Sequence, residues 1–291
     1  MKPPAFDYIA ATSVEDAVAA LVRSEGEGKL IAGGQSLMPM LNFRLADPAV
    51  LIDIARIPGL DGVEETDQGL HVGALTRHAA LEASPLVAKH FPVLAEAMSH
   101  VAHLAIRNRG TIGGSLSHAD PAAELPLMAV LLEAVLRIAG PEENRDVPAE
   151  EFFIGALTTD LEEEEMVTGV TLPYLPAGSG WGFEEVSRRS GDFALAAAAA
   201  TLLFEGPVVS EVRVAVTGVD DLPLRISAAE EVLKGEALSE EKIADAVDIV
   251  RASVNPNSDA QASADYRRHL IGVLTARVLS AAAARATKGA P

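Results

Sequence analysis

The chain contains no cysteine in its 291 residues. That excludes disulfides and thiol nucleophiles, and it removes the thiolate ligands an iron–sulfur cluster requires. Long apolar runs are also missing, although 49% of the residues are hydrophobic. The longest, residues 193–204 broken only by Thr201, falls well short of the ~20 residues that span a bilayer. The opening Met1-Lys2-Pro3-Pro4-Ala5-Phe6-Asp7 has no apolar signal-peptide core, so the cytoplasm is the expected compartment. Cations are scarce: 23 basic residues face 42 acidic ones, a formal net charge of −19. Such a surface repels phosphate backbones and anionic bilayers, which argues against nucleic-acid binding and membrane attachment. It also sets a condition. Any phosphate-bearing ligand must be held by local features strong enough to overcome the global field.

Several signatures are absent as well. No G-x-G-x-x-G follows the first strand, no G-x-x-x-x-G-K-[ST] occurs, and no G-x-S-x-G elbow occurs. Rossmann dinucleotide sites, P-loop NTPases and α/β-hydrolases are thereby disfavoured. His100 and His103 stand at helical i, i+3 spacing but lack a nearby third ligand. They are read as two solvated helix histidines, and no metal site is expected.

What is present is enough apolar residue for more than one core, and a length that suggests two domains. Ser13 and Asp16 form a capping-box-like start to a helix over 14–24, stopped at Gly26. Short strands are expected at 29–32, 50–54 and 70–75, each bounded by turn residues. Residues 92–102 read as a helix with Pro92 in its first turn. Residues 107–120, rich in Gly, Ser and Thr, are expected to be one long loop. A helix over 124–132 and extended segments at 134–139 and 166–172 complete the first half. The acidic run 162–165 reads as a solvated loop. The densest Pro/Gly cluster, 173–180, marks the domain boundary. Beyond it a strand is expected at 208–219, with helices over 239–254 and 265–284. The five alanines at 196–200 favour helix by propensity, whereas their neighbours suggest sheet.

Two loops carry the functional information. The first, Ala32-Gly33-Gly34-Gln35-Ser36-Leu37, directly follows a strand. The second runs Arg107-Asn108-Arg109-Gly110-Thr111-Ile112-Gly113-Gly114-Ser115 and continues to Asp120. Paired glycines permit positive φ and leave no Cβ in the way of a ligand. Successive N–H groups in such a turn converge on anions, and a following helix adds further donors. Arg44, Arg107 and Arg109 supply nearby positive charge. A double glycine after a strand is more often a tight turn than a cofactor cradle. Two such loops, each with a serine close behind, shift the reading toward a phosphate-bearing ligand.

These loops resemble those of the FAD-binding medium subunit of the carbon monoxide dehydrogenase / xanthine dehydrogenase family. So do Leu37-Met38-Pro39-Met40 after the first loop, Ala119-Asp120-Pro121-Ala122-Ala123-Glu124-Leu125-Pro126 after the second, and Ser187-Arg188-Arg189-Ser190-Gly191-Asp192. The likeness covers nearly the whole chain. It implies an α+β fold: a two-part, vanillyl-alcohol-oxidase-like (PCMH-type) FAD-binding domain over residues 1–175, then a smaller domain over 180–287. That second domain would have a three-stranded antiparallel sheet and packed helices, which makes 194–204 a strand.

By the same likeness Ala32, Gly33, Gly34, Gln35, Ser36 and Leu37 would wrap the FAD pyrophosphate together with Thr111, Ile112, Gly113, Gly114 and Ser115. Asp120, Glu124 and Leu172 would lie near the adenine, ribityl or isoalloxazine parts. Arg188, Arg189 and Asp192 fall toward the flavin side of the second domain. Where many relatives carry Lys two residues before the Ser187-Arg188 pair, this chain has Glu185. The family implies a molybdopterin-containing large subunit that oxidises the substrate and an iron–sulfur subunit that relays electrons, in a dimer of heterotrimers. The flavin passes electrons on to an acceptor such as a quinone or NAD. No catalytic acid or base is expected in this chain. The alternatives are an autonomous FAD-dependent oxidase or dehydrogenase, with His118 as its base, and a non-enzymatic acidic module. Carbon monoxide, aldehydes, purines and other N-heterocycles all remain open as substrates.

Overall fold

The computed structural model describes residues 2–286. The expected outer limits of the two domains, residues 1 and 287, lie outside the described residues. The chain begins with a small parallel sheet of order β1-β3-β2. Its elements are β1 (Asp7–Ala10), α1 (Val14–Arg23), β2 (Gly28–Ile31), α2 (Leu37–Phe43) and β3 (Val50–Asp53). The Ser13 hydroxyl accepts from the Asp16 amide at 3.1 Å, so the expected cap holds α1 at its start. Ala17, Val18, Ala20 and Leu21 bury one face of that helix beneath the sheet. A parallel sheet of three strands needs such cover, and α1 supplies it.

The second unit is a five-stranded antiparallel sheet of order β4-β5-β10-β6-β7. After β4 (Val63–Thr66) and β5 (Gly69–Gly73) the chain leaves the sheet for six helices. They are α3 (His78–Glu82), α4 (Pro85–His90), α5 (Pro92–His100), α6 (Leu104–Arg107), α7 (Ile112–His118) and α8 (Glu124–Leu131). It returns through β6 (Val135–Ala139), β7 (Asn144–Pro148), α9 (Ala149–Phe152), β8 (Phe153–Gly155), β9 (Thr158–Thr159) and β10 (Met166–Leu172). α8 is buried all round, with every residue from Glu124 to Leu131 covered. The acidic run is only half solvated: Glu162 and Glu163 are exposed, but the Glu165 side chain is 9% exposed and pairs with Arg145 at 2.7 Å.

Residues 173–179 lead into the third unit: β11 (Gly180–Val186), β12 (Ala196–Glu205), β13 (Val208–Thr217) and the two-residue β14 (Leu224–Arg225). α10 (Ser227–Leu233), α11 (Glu240–Ser253) and α12 (Ala264–Arg285) follow. The three long strands are antiparallel, as the resemblance implies, and β14 extends the edge. The alanine run lies in β12, against its helix propensity, because both faces of that strand are covered. Ala197 and Ala199 pack into the core shared with α5 and α8. Ala196, Ala198 and Ala200 pack into the core beneath α10, α11 and α12. Burial in a central strand overrides an intrinsic preference of a few tenths of a kcal/mol per residue. Among the described residues no helix is long and apolar enough to cross a membrane.

Candidate cofactor site

The two glycine loops meet. β2 runs into residues 32–36, and Gly33 is packed so closely on the second loop that a Cβ there would fall on the Arg109 carbonyl, with the Gly110 Cα at 2.9 Å. Gly34 holds φ +72°, the left-handed turn that only glycine adopts freely. Gln35 donates to the Gly33 carbonyl at 3.0 Å and fixes the turn. Hydrogen bonding to the loop's backbone resumes with Met38 to Gly34 and Met40 to Ser36. Among the described residues no protein acceptor meets the N–H groups of Gly33, Gly34, Gln35, Ser36 and Leu37. The Ser36 hydroxyl makes no capping bond either. Five successive free amides and a free hydroxyl form a donor array suited to an anion.

The second loop is organised differently. Residues 107–120 are not one long loop: α6 ends at Arg107 and α7 occupies Ile112–His118. Thr111, in extended conformation, caps α7 by accepting from the Gly114 amide at 3.1 Å, and Ala119 ends it at φ 49°. Serine and glycine content disguised a capped helix. Its first amides are already used. Ile112 donates to Thr76, Gly113 to Ala74 at 2.8 Å, and Ser115 to Thr111. Gly113 is glycine for packing, since a Cβ would lie 2.6 Å from that of Ala74. Of residues 111–115, only Gly114 and Ser115 reach the surface.

The nearby cations also divide. Arg107, expected to serve a phosphate, pairs with Glu82 at 2.8 Å and donates to the carbonyls of Val101 and Ala102. It is structural. Arg109 stays exposed, and Arg77 donates to its carbonyl. Burial, then the Arg109 charge, pull the Arg77 pKa down. Arg77 and Arg56 line an open cleft of about 780 Å³ with Asp61, Pro58 and Leu86. Arg77 was not legible as a site residue, because it reaches the second loop only through the tertiary fold.

The remaining expected residues lie further out. Asp120 accepts from the Ala122 amide at 2.9 Å. The next carbonyl, Pro121, accepts from the Thr217 hydroxyl at 2.6 Å and the Gly218 amide at 2.8 Å, so the C-terminal sheet clamps the segment behind the second loop. Glu124 is 5% exposed, and burial, then the Glu185 charge, raise its pKa to about 7. Leu172 is buried opposite Leu70, three residue pairs or ~10 Å along the ladder from Gly73, the residue before Ala74, which meets the second loop. His118 ends α7, half-buried, with its pKa lowered by burial. Arg188, Arg189 and Asp192 are exposed around a small cleft with Gln261. Glu185 turns inward, its side chain 3% exposed and 3.4 Å from His100. His100 is therefore not a solvated partner of His103, which lies beyond α5 at the start of α6. Among the described residues no group of side chains could hold a metal ion.

A parallel-sheet loop of free amides is set against a capped helix of an antiparallel unit, an arrangement with the donors to receive an anionic group between two subdomains. Residues 4–175 match the family described as FAD binding domain in molybdopterin dehydrogenase, and residues 181–282 match the CO dehydrogenase flavoprotein C-terminal domain. The 6-hydroxypseudooxynicotine dehydrogenase complex subunit alpha of Paenarthrobacter nicotinovorans is 42% identical over 98% of this chain and 97% of its own length. The carbon monoxide dehydrogenase medium chain of Hydrogenophaga pseudoflava is 40% identical over 98% of this chain and 99% of its own. The solved carbon monoxide dehydrogenase of that organism, lacking the Mo-pyranopterin moiety, superposes with a TM-score of 0.97 at 41% identity, covering 99% of this chain and 100% of that one. The chain belongs to the family of FAD-binding subunits of molybdenum hydroxylases. It is an oxidoreductase component, and its cofactor is FAD.

Proposed function

We propose that this chain carries FAD in a multi-subunit molybdenum hydroxylase, taking electrons from an iron–sulfur partner and delivering them to an external acceptor, a quinone or NAD. The observation that carries the reading is the row of free amides at residues 33–37, held against the second loop at Gly33. Hydrogen bonds to a charged acceptor contribute about 1.5–3 kcal/mol each, enough in sum to hold a diphosphate against a chain of net charge −19. In this reading Ala32 through Leu37 supply the donors, and Thr111 through Ser115 form the opposite wall with Gly114 and Ser115 outermost. Asp120, Glu124 and Leu172 back the outer parts of the cofactor. Residues 1–175 are the cofactor-holding domain and 180–287 the smaller one that clamps it. When bound, FAD supplies the redox chemistry, accepting electrons singly and passing them on in pairs. The protein supplies position and a polar environment.

The chain's own composition supports the division of labour. With no thiolate it holds no iron–sulfur cluster, so electrons come from another polypeptide. The partners we propose are a cysteine-rich iron–sulfur chain and a large molybdopterin-containing chain, assembled as a dimer of heterotrimers. The matched relatives are named as subunits of complexes acting on chemically unlike substrates, a nicotine derivative and carbon monoxide. Specificity is accordingly assigned to the large partner.

Purification from the native host tests this. A yellow complex with both partners is expected. A lone flavin-containing monomer that oxidises an alcohol or aldehyde would overturn the subunit reading. Gly114→Val tests the site. Its Cβ would meet only the Thr111 hydroxyl, at 2.8 Å, and would otherwise project from an exposed position into the space assigned to phosphate oxygens. FAD content of the folded variant should fall at least about tenfold, equivalent to ~1.4 kcal/mol. Unchanged flavin content would remove the second loop from the cradle.

A further inference from the structure

Three titratable side chains from three elements lie in the seam where the FAD-binding domain packs on the C-terminal sheet. His100 closes α5, Glu124 opens α8, and Glu185 is the penultimate residue of β11. His100 Nδ1 lies 3.4 Å from Glu185 Oε1, and its ring stands edge-on to Phe183 with centroids 5.1 Å apart. The other oxygen of Glu185, Oε2, is buried with no hydrogen-bond partner. A buried, donorless carboxylate oxygen is rare in native proteins and calls for an explanation. Glu124 is buried close enough for the charges of Glu185 and His100 to act on it. Two carboxylates in one apolar seam resist simultaneous ionisation when a single imidazole serves both.

We propose that His100, Glu124 and Glu185 form a proton-operated latch across the domain seam. One proton stays on the Glu124 carboxyl while His100 and Glu185 carry one charge of each sign. Losing these protons leaves two facing carboxylates and loosens α5 and α8 from β11.

The groups facing the cluster point the same way. Glu96 on α5 and Asp120 ahead of α8 add negative charge. β12 presents alanines. Glu184 of β11 is engaged with Arg277 of α12, and Arg213 of β13 with Glu133 beyond the far end of α8. His118, on the neighbouring α7, has its pKa lowered by burial. Burial, then Glu185, raise the Glu124 pKa from 4.5 to about 7, and hydrogen bonding to Glu185 raises that of His100 above 6.5. Both protons are therefore held more tightly in the folded than in the unfolded chain. The Glu124 contribution is complete below pH 4.5 and is lost as pH rises through about 7; the His100 contribution is complete below 6.5 and lost above it.

Trp181, the single tryptophan, lies on β11 four residues before Glu185 and reports on the seam. Thermal unfolding of the full-length, FAD-loaded protein would be followed by its fluorescence from about pH 5 to about pH 8, for wild type and Glu124→Gln. The wild-type midpoint should fall roughly 5 °C more than that of Glu124→Gln over this range. Parallel pH profiles would overturn the latch. Infrared titration of wild type covers the case of a variant that does not fold. A band from a buried protonated carboxylic acid should be present near pH 6 and gone near pH 9, and its absence near pH 6 overturns the proposal.

Discussion

Residues 32–37 and 111–115 share one short pattern, a glycine pair with a serine close behind, and the fold puts the two copies to opposite uses. In the first, the amides of residues 33–37 meet no protein acceptor among the described residues, and Gly34 turns the chain at positive φ. In the second, the amides of Ile112, Gly113, Gly114 and Ser115 are all bonded, and Thr111, Ile112 and Gly113 are buried. One loop is a set of donors, and the other is the wall that holds it in place. Glycine spacing reports that a backbone comes close to something, without saying whether that something is a ligand or a neighbouring strand.

Substitutions at these positions should separate the two roles. The largest effect is expected at Gly33→Ala, whose Cβ would displace the Arg109 carbonyl and drive the loops apart. FAD retention, read from the flavin-to-protein absorbance ratio, should drop well beyond about tenfold, more than ~1.4 kcal/mol. Gly113→Ala comes next. Its Cβ would crowd Ala74 at 2.6 Å, an overpacking cost of about 1–3 kcal/mol that should appear as a lower melting temperature. Because the donors are untouched, excess FAD should restore most of the flavin content. Flavin lost irreversibly at an unchanged melting temperature would break the contrast. Thr111→Ala should have the smallest effect. It removes the cap of α7, about 1 kcal/mol or ~2–4 °C, with FAD largely retained.

Much of the scaffold was legible. Ser13 and Asp16 announced α1, Pro92 the start of α5, and turn residues bracketed β3, β5 and β10. What escaped was context. α7 is seven residues, five of them glycine, serine or histidine, whose helical state depends on the Thr111 cap and on bonds to Thr76 and Ala74, more than thirty positions upstream by sequence number. The cap was the available signal: a threonine in front of a short run that ends on a basic residue. The same holds for Arg77, which reaches the second loop through tertiary packing alone. Glu185 read as a replacement beside the flavin, but the strand carries it into the seam with His100.

The alanine strand has a mechanical consequence. With single methyl groups on both faces, β12 works as a shim, setting the gap between α5 and α8 on one side and α12 on the other. It cannot be thinned without glycine, and thickening at Ala197, which pairs with Glu185 in the ladder, or at Ala199 would act as a wedge along the seam. The tolerance of the whole joint is thus about one carbon atom wide.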